Sequence, residues 1–162
     1  MSDITTGTSH QEKCSWCLGD AKYEHYHDTE WGVPQKDDRV LFEKISLEGF
    51  QAGLSWITIL RKRDNFRETF DNFDLNAVST YNEYYTEKIL KNAGVVRPRG
   101  KIERFINNSK RAKELQNEFG SLAAFFWSFE PKDNPTLSEI RARETSIPSF
   151  SKESEAMSQA LK

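Results

Sequence analysis

The segment 101–119 constrains the fold most, because it has the clearest helical pattern in the sequence. Its apolar residues recur every three or four positions and lie on one side of a helix: Ile102, Phe105, Ile106, Ala112, Leu115 and Phe119. Gly120 follows, where a helix commonly ends. No segment shows the apolar and polar alternation of a half-buried strand. The sequence therefore predicts an all-α fold.

Further helices are predicted on both sides of this segment. Several begin at residues whose side chains can accept hydrogen bonds from free backbone N–H groups. These starts are Asp37 or Asp38, Ser55, Asp74, Asn82, Ser121 and Ser151. The segment after Ser55 keeps a helical rhythm that includes one charged residue, Arg63. We expect a single bundle of roughly six to eight helices at 14–162, with a flexible tail at 1–13 and a loosely structured stretch at 130–150.

Composition fits one modest core and excludes two classes of protein. Hydrophobic residues are 36% and aromatic residues 12% of the 162 residues, so rings must supply much of the core. The formal charge of −2 excludes a uniformly basic nucleic-acid binder. No apolar run approaches the roughly 18 residues of a membrane span, and no export signal is recognisable. We expect a cytoplasmic protein without membrane contact.

The segment 48–56, Glu-Gly-Phe-Gln-Ala-Gly-Leu-Ser-Trp, indicates a binding site. Its one acid, Glu48, lies among nearly uncharged residues, where a carboxylate loses hydration and needs hydrogen bonds or a cation. A flat, cationic ligand would supply both. Aromatic residues flank the segment: Trp16, Tyr23, Tyr26, Trp31 and Trp56. Each alone is more often a core residue, but together they could sandwich a nucleic-acid base.

A basic turn is the second candidate site. Glycines at its ends, Gly94 and Gly100, let backbone N–H groups approach a phosphate, and the next helix adds its dipole. Positions 97–113 carry seven basic residues against the single acid Glu103. This patch favours contact with nucleic acid that does not read sequence. The alternative is a solvated turn between two packed helices.

The run Cys14-Ser-Trp-Cys17, followed by His25-Tyr-His27, is the third candidate site. Cys-x-x-Cys with nearby histidines suggests zinc. The spacing is shorter than in a zinc finger, and the sequence has no later cysteine. Two reduced thiols without metal are the alternative, because a cytosolic compartment disfavours a disulfide.

Four runs of the sequence carry a family resemblance. They are Cys14-x-Trp16, Tyr23-x-x-Tyr26-His27-Asp-x-Glu30-Trp31-Gly32-Val33-Pro34, Leu47-Glu48-Gly49-x-Gln51-Ala52-Gly53-Leu54-Ser55-Trp56 and Ala93-Gly94-Val-Val-Arg97-x-Arg99-Gly100-Lys101. Together they closely resemble the bacterial DNA-3-methyladenine glycosylase I family, from about Lys13 to the chain end. The resemblance implies an all-α, helix-hairpin-helix-type repair enzyme. Such an enzyme removes 3-methyladenine from alkylated double-stranded DNA and leaves an abasic site.

The resemblance also implies roles for individual residues. Glu48 would be the catalytic carboxylate that recognises the base, with Trp56 as its stacking platform and Tyr26 as a hydrogen-bonding wall. The remaining pocket residues would be Tyr23, Trp16 and Trp31. Residues near the DNA would be the wedge positions Gly53 and Leu54 and the backbone-holding turn with Arg97, Arg99, Gly100 and Lys101.

The resemblance further implies structural zinc held by Cys14 and His27. In the family, a His and a Cys from a further helical segment complete that site, and this segment would follow the position matching Lys162. We therefore expect a chain truncated at its C-terminus relative to the family. We separately expect it to work as a monomer. Two alternatives follow: a truncated, non-catalytic binder of damaged DNA, or a small zinc-dependent interaction module that also uses Cys17 and His25.

Overall fold

The computed structural model describes residues 13–132 and 149–162. Over these ranges the regular elements are all helical, so the all-α prediction is confirmed. The α-helices are α1 (Ala21–Thr29), α2 (Asp38–Gln51), α3 (Trp56–Thr69), α4 (Leu75–Val78), α5 (Glu83–Leu90), α6 (Arg99–Phe119), α7 (Leu122–Trp127) and α8 (Lys152–Ala160). None of these described helices is both long and apolar enough to cross a membrane. The predicted tail and loosely structured stretch lie largely outside the described residues.

Side-chain caps confirm most of the predicted helix starts. Four side chains accept a hydrogen bond from a backbone N–H in the first turn of α2, α4, α5 and α7: Asp37, Asp74, Asn82 and Ser121. Ser151 and Ser154 form a reciprocal capping box at α8. At the end of α6, Gly120 has a φ of 83°, a left-handed conformation that glycine adopts without strain. Local hydrogen bonding therefore sets these boundaries.

Helix α1 was not predicted from the sequence, because its aromatic-rich segment has no apolar periodicity. Its start is set by Asp20, whose carboxylate accepts hydrogen bonds from the backbone N–H groups of Lys22 and Tyr23. That aspartate is the sequence signal that indicates the helix. The helix buries the Tyr26 ring, which is 6% exposed. An aromatic residue assigned to the ligand pocket is thus fixed by packing.

The core is built mainly from phenylalanine rings between α2, α3 and α6. The ring centroids of Phe70 and Phe105 are 4.3 Å apart, and those of Phe50 and Phe66 are 4.9 Å apart. Each of these four rings is at most 4% exposed. Burial of a ring of this size stabilises the fold by roughly 1.5–3 kcal/mol. The prediction that rings supply the core is confirmed, and this core holds α2 and α3 against each other.

Candidate functional site

Tyr26, Glu48 and Trp56 come together where α1, α2 and α3 meet. The rings of Tyr26 and Trp56 have their centroids 5.6 Å apart and are tilted by 54°. Between them and Glu48 lies the ammonium group of Lys44, one turn before Glu48 on α2. Its Nζ is 2.7 Å from the Tyr26 hydroxyl, 2.9 Å from a Glu48 carboxylate oxygen and 3.7 Å from the centre of the Trp56 ring. These groups therefore form one cation-binding cluster.

Lys44 is not among the residues predicted from the sequence. The signal that could indicate it is its spacing of four residues from Glu48, which places the two side chains on the same helix face. The ring contacts with Tyr26 and Trp56 join residues far apart in the chain. Only the packing of α1 on α3 and of α3 on α2 brings them to Lys44.

Glu48 lies in a different environment from the one expected. Its side chain is 47% exposed and ion-paired with Lys44, so the expectation of a carboxylate desolvated among apolar neighbours is wrong. Helix α2 turns Leu47 and Phe50 into the core instead. The phase of the helix, and not the low charge of the segment, decides which residues are buried.

A second aromatic group lies beside the first. The Trp16 ring centroid is 4.9 Å from that of Tyr23, 5.2 Å from that of His27 and 5.3 Å from that of Trp31. Trp16 and Trp31 are 40% and 44% exposed. Burial, and then the neighbouring Tyr26, raise the pKa of the Tyr23 hydroxyl. The Tyr23 hydroxyl is therefore neutral at physiological pH, and Tyr23 lies three residues before Tyr26 on α1.

Trp56 presents a ring face and an isolated donor. Its indole N–H is buried and has no hydrogen-bond partner in the described part of the chain. A buried donor without a partner costs about 1–3 kcal/mol. Because its edge makes no such bond, Trp56 contributes to the cluster through its ring face, as a stacking platform does.

An ion-pair network that was not predicted holds the three helices together. Glu43, 1% exposed, binds Arg63 and Arg67, with the Arg67 Nη2 at 2.8 Å. Arg63 also donates hydrogen bonds, both at 2.7 Å, to the two carboxylate oxygens of Glu30, the residue before Trp31. Burial opposes the charge of Arg63, but Glu30 and then Glu43 raise its pKa above the ordinary value. The signal for this network was Arg63 itself, a cation on the apolar face of a predicted helix, which requires buried partners.

Two cations of the basic turn are bound within the chain. Arg99 pairs with Glu83 at 2.8 Å and with Glu87. Lys101 donates to the backbone oxygens of Phe50 and Ala52 at 2.7 and 2.6 Å, at the C-terminal end of α2. The two glutamates lie on α5, outside the segment 97–113. The local positive charge is therefore smaller than the sequence alone predicts.

The remaining residues of the turn have more open surroundings. Among residues 13–132 and 149–162, Arg97 makes one long hydrogen bond, 3.4 Å from its Nη1 to the Leu90 backbone oxygen. A Cβ built at Gly100 would meet nothing within 4 Å. At Gly94 a Cβ would lie 3.0 Å from the Asn65 side chain, so a larger residue would require that side chain on α3 to shift. Gly100 is the glycine of the turn that a ligand can approach.

The predicted wedge lies in the turn between α2 and α3. Gly53 has a φ of 79°, and the Leu54 side chain is 42% exposed. Leu54 is two residues before Trp56, so the predicted wedge is close in the chain to the predicted base platform. The role of Gly53 and Leu54 as a wedge stays a prediction.

The described residues do not fit a closed zinc site. Over 13–132 and 149–162, no three His, Cys, Asp or Glu side chains are grouped to hold a metal. The Cys17 thiol donates to the Cys14 backbone oxygen at 3.0 Å, and burial raises the pKa of Cys17, which disfavours the thiolate that zinc binds. His27 Nδ1 is 2.9 Å from Asp28. Zinc at Cys14 and His27 stays a prediction.

Comparison with known proteins identifies the family of this chain. The methyladenine glycosylase family model matches residues 16–162. DNA-3-methyladenine glycosylase 1 of Escherichia coli (strain K12) is 42% identical over 156 residues, covering 93% of this chain and 80% of that protein. DNA-3-methyladenine glycosylase of Haemophilus influenzae is 37% identical over 150 residues, with the same shares. A solved structure of 3-methyladenine DNA glycosylase I from Staphylococcus aureus, concerned with recognition of 3-methyladenine, has a TM-score of 0.80 at 28% identity and covers 92% of this chain and 78% of its own. This chain therefore belongs to the methyladenine glycosylase family.

Proposed function

We propose that this chain hydrolyses the N-glycosidic bond of 3-methyladenine in alkylated DNA, as a base excision repair enzyme. The observation that carries the proposal is the cation-binding cluster. An aromatic face at Trp56, a hydroxyl at Tyr26 and a carboxylate at Glu48 surround one position that already holds a positive charge. Membership of the methyladenine glycosylase family supports the same substrate.

The proposed reaction needs little acid catalysis from the protein. Methylation at N3 makes the purine cationic and weakens its bond to the sugar. When the bond between C1′ and N9 breaks, both electrons go to the base, which leaves as a neutral molecule. A water molecule adds to C1′ and loses a proton. Flipping the base out of the duplex costs a few kcal/mol, least for a damaged base, and stacking offsets about 1–3 kcal/mol of it.

Each pocket residue has a role in this proposal. Trp56 stacks on the flipped base, Tyr26 hydrogen-bonds its polar edge, and Glu48 stabilises the cationic base electrostatically. The second aromatic group, with Trp16, Tyr23 and Trp31, forms the outer wall. These roles follow from ring faces and charge, which recognise a flat cation better than a neutral base.

DNA contact is assigned to the surface around the pocket. Leu54 is the apolar wedge that fills the gap left by the flipped nucleotide. The turn 94–101 between α5 and α6 acts as the helix-hairpin-helix contact to the phosphate backbone, with Arg97 and the N-terminus of α6 at Gly100 as its open groups. Arg99 and Lys101 complete it and also hold the turn in place through their intrachain contacts.

The proposed substrate is double-stranded DNA, the working form is a monomer, and the compartment is the cytoplasm. Structural zinc at Cys14 and His27 stays part of the proposal, and no proposed step passes through it. Membership of the methyladenine glycosylase family favours the glycosylase over the zinc-dependent interaction module.

Release of free 3-methyladenine from methylated duplex DNA, with the bases separated by chromatography, tests the proposal. We expect release by the parent chain and a clear loss with Glu48→Gln. Glu114→Gln is the matched control, because Glu114 is also an exposed, ion-paired carboxylate, on α6. Equal rates for the parent and Glu48→Gln would contradict the assigned role. Binding of alkylated duplex without any base release would favour the non-catalytic binder instead.

A further inference from the structure

The position of Lys44 has a direct consequence for how the base pocket fills. Its Nζ is 3.7 Å above the centre of the Trp56 ring and 5.1 Å from the centre of the Tyr26 ring. A base stacked on Trp56 would lie at about the same height, because stacked atoms are separated by roughly 3.5–4.0 Å. The base and the ammonium group therefore cannot occupy this position together.

We propose that Lys44 is a resident cation of the base pocket, which the methylated base displaces on entry and which returns after cleavage to displace the product. The proposal rests on the proposed function, because that function names the base. It goes further in assigning to Lys44 a role in setting the affinity for the base and in releasing the product. Lys44 acts by competing for the site.

The contacts that Lys44 makes are the ones a cationic base can replace. The ammonium group has an aromatic face at Trp56, an acceptor at Tyr26 and a carboxylate at Glu48. A base methylated at N3 brings its own positive charge to Trp56 and Glu48. A neutral purine stacks on Trp56 but leaves Glu48 without a cation. The exchange is therefore more favourable for the methylated base.

Cleavage reverses this exchange. The bonding electrons of the glycosidic bond stay with the base, so the product is neutral and loses its electrostatic contacts with Trp56 and Glu48. The Lys44 ammonium then competes more effectively for the same position. This competition favours release of the product and leaves the pocket in its starting state.

Lys44 can move in this way without unfolding any part of α2. Its side chain is 43% exposed, so the ammonium group has a path to water while the aliphatic stem keeps its packing. Displacing it costs the same free energy for every base, which lowers the affinity for all of them by a common factor.

The test is the affinity for free 3-methyladenine at a pH where this product is neutral, measured by calorimetry. Lys44→Met keeps a flexible side chain and helix propensity but removes the charge. We expect its Kd to fall at least about threefold, the size of a modest cation–π contact. Free 3-methyladenine should also inhibit base release more strongly in this variant. Lys44→Arg retains the charge and should bind as weakly as the parent.

Lys36→Met is the matched control. The Lys36 ammonium also lies over an indole ring, 5.7 Å from the centre of Trp127, but outside the pocket. The Kd of Lys36→Met for 3-methyladenine should equal that of the parent. This result would show that removing a surface lysine over a tryptophan does not by itself raise the affinity for the base.

An unchanged or weaker affinity of Lys44→Met would overturn the proposal, and weaker affinity would mean that Lys44 donates to the bound base. Absence of binding by all four proteins would overturn it as well. The proposed function has a separate readout, base release from methylated duplex by the parent. Its failure is therefore distinguishable from the failure of the role of Lys44.

Discussion

Glu43, the residue before Lys44 on α2, has its carboxylate bound by the Arg63 guanidinium of α3. Glu43 is 1% exposed, and Arg63 continues the network to Glu30 beside Trp31. Buried charges are stable only when each has a partner. The arrangement therefore fixes the helices that carry the aromatic groups, without taking part in base recognition.

Removal of Glu43 should destabilise the fold strongly. Glu43→Ala leaves Arg63 and Arg67 without their shared partner, and such a loss costs about 3–5 kcal/mol in free energy of unfolding. The control is Glu103→Ala, because Glu103 is half-exposed and 3.6 Å from Arg99. Urea unfolding measures both. A loss below about 1 kcal/mol for Glu43→Ala, the range of exposed pairs, would show that the network contributes little.

Loss of the Trp56 ring face should reduce base release more than stability. Trp56→Leu removes stacking worth about 1–3 kcal/mol, so kcat/KM should fall about 5- to 150-fold. Trp127→Leu removes another partly exposed indole, remote from the cluster, and serves as the control. The comparison uses release from methylated duplex together with an unfolding curve for each variant. Equal kcat/KM values for Trp56→Leu and the parent would remove Trp56 from the proposed site.

Asp38 should make the stability depend on pH in the acid range. Its carboxylate accepts hydrogen bonds from the Leu122 and Ala123 backbone N–H groups at 2.9 Å and so caps α7 from α2. Partial burial acts to raise the pKa of Asp38, but these hydrogen bonds and one from Gln116 lower it below the ordinary value. The ionised form therefore stabilises the fold above the unfolded pKa of about 3.9, and this stabilisation is lost as pH falls through the lower folded pKa.

Asp38→Asn should accordingly lower the free energy of unfolding by about 1–2 kcal/mol at neutral pH and by less at about pH 3. The matched control is Asp64→Asn, because Asp64 is 79% exposed and only loosely paired with Lys22. Urea unfolding at the two pH values gives the difference. An equal loss of free energy of unfolding at both pH values would mean that the hydrogen-bond geometry of Asp38, and not its charge, stabilises the fold.

The basic turn should depend most on Arg97 for its salt sensitivity. Among the described residues, Arg97 makes one long hydrogen bond, whereas Arg99 forms ion pairs with Glu83 and Glu87. Arg97→Ala should weaken duplex binding, leave base preference unchanged and reduce the slope of log K against log salt by about 1. Arg99→Ala should change the slope less. The opposite order in a salt titration would mean that Arg99 exchanges its glutamates for phosphate.

The sequence by itself determined the helical class and most helix boundaries. Caps such as Asp74 and Asn82 act on backbone groups within a few residues, so their effect can be predicted from neighbouring positions. The periodic apolar face of α6 also follows from the sequence, and its members Ile102 and Phe105 are buried. Helix α1 was missed because its aromatic residues follow no helical period, although Asp20 marked its start.

The tertiary structure decided the electrostatics of the site. The sequence singled out Tyr26, Glu48 and Trp56, but not Lys44, which contacts all three. Such contacts join residues on different helices, and their geometry depends on how α1, α2 and α3 pack. For the same reason, the partners of Arg99 and Lys101 could not be predicted from the basic segment alone. Charge along the chain is a property of the sequence, whereas the pairing of charges is set by the fold.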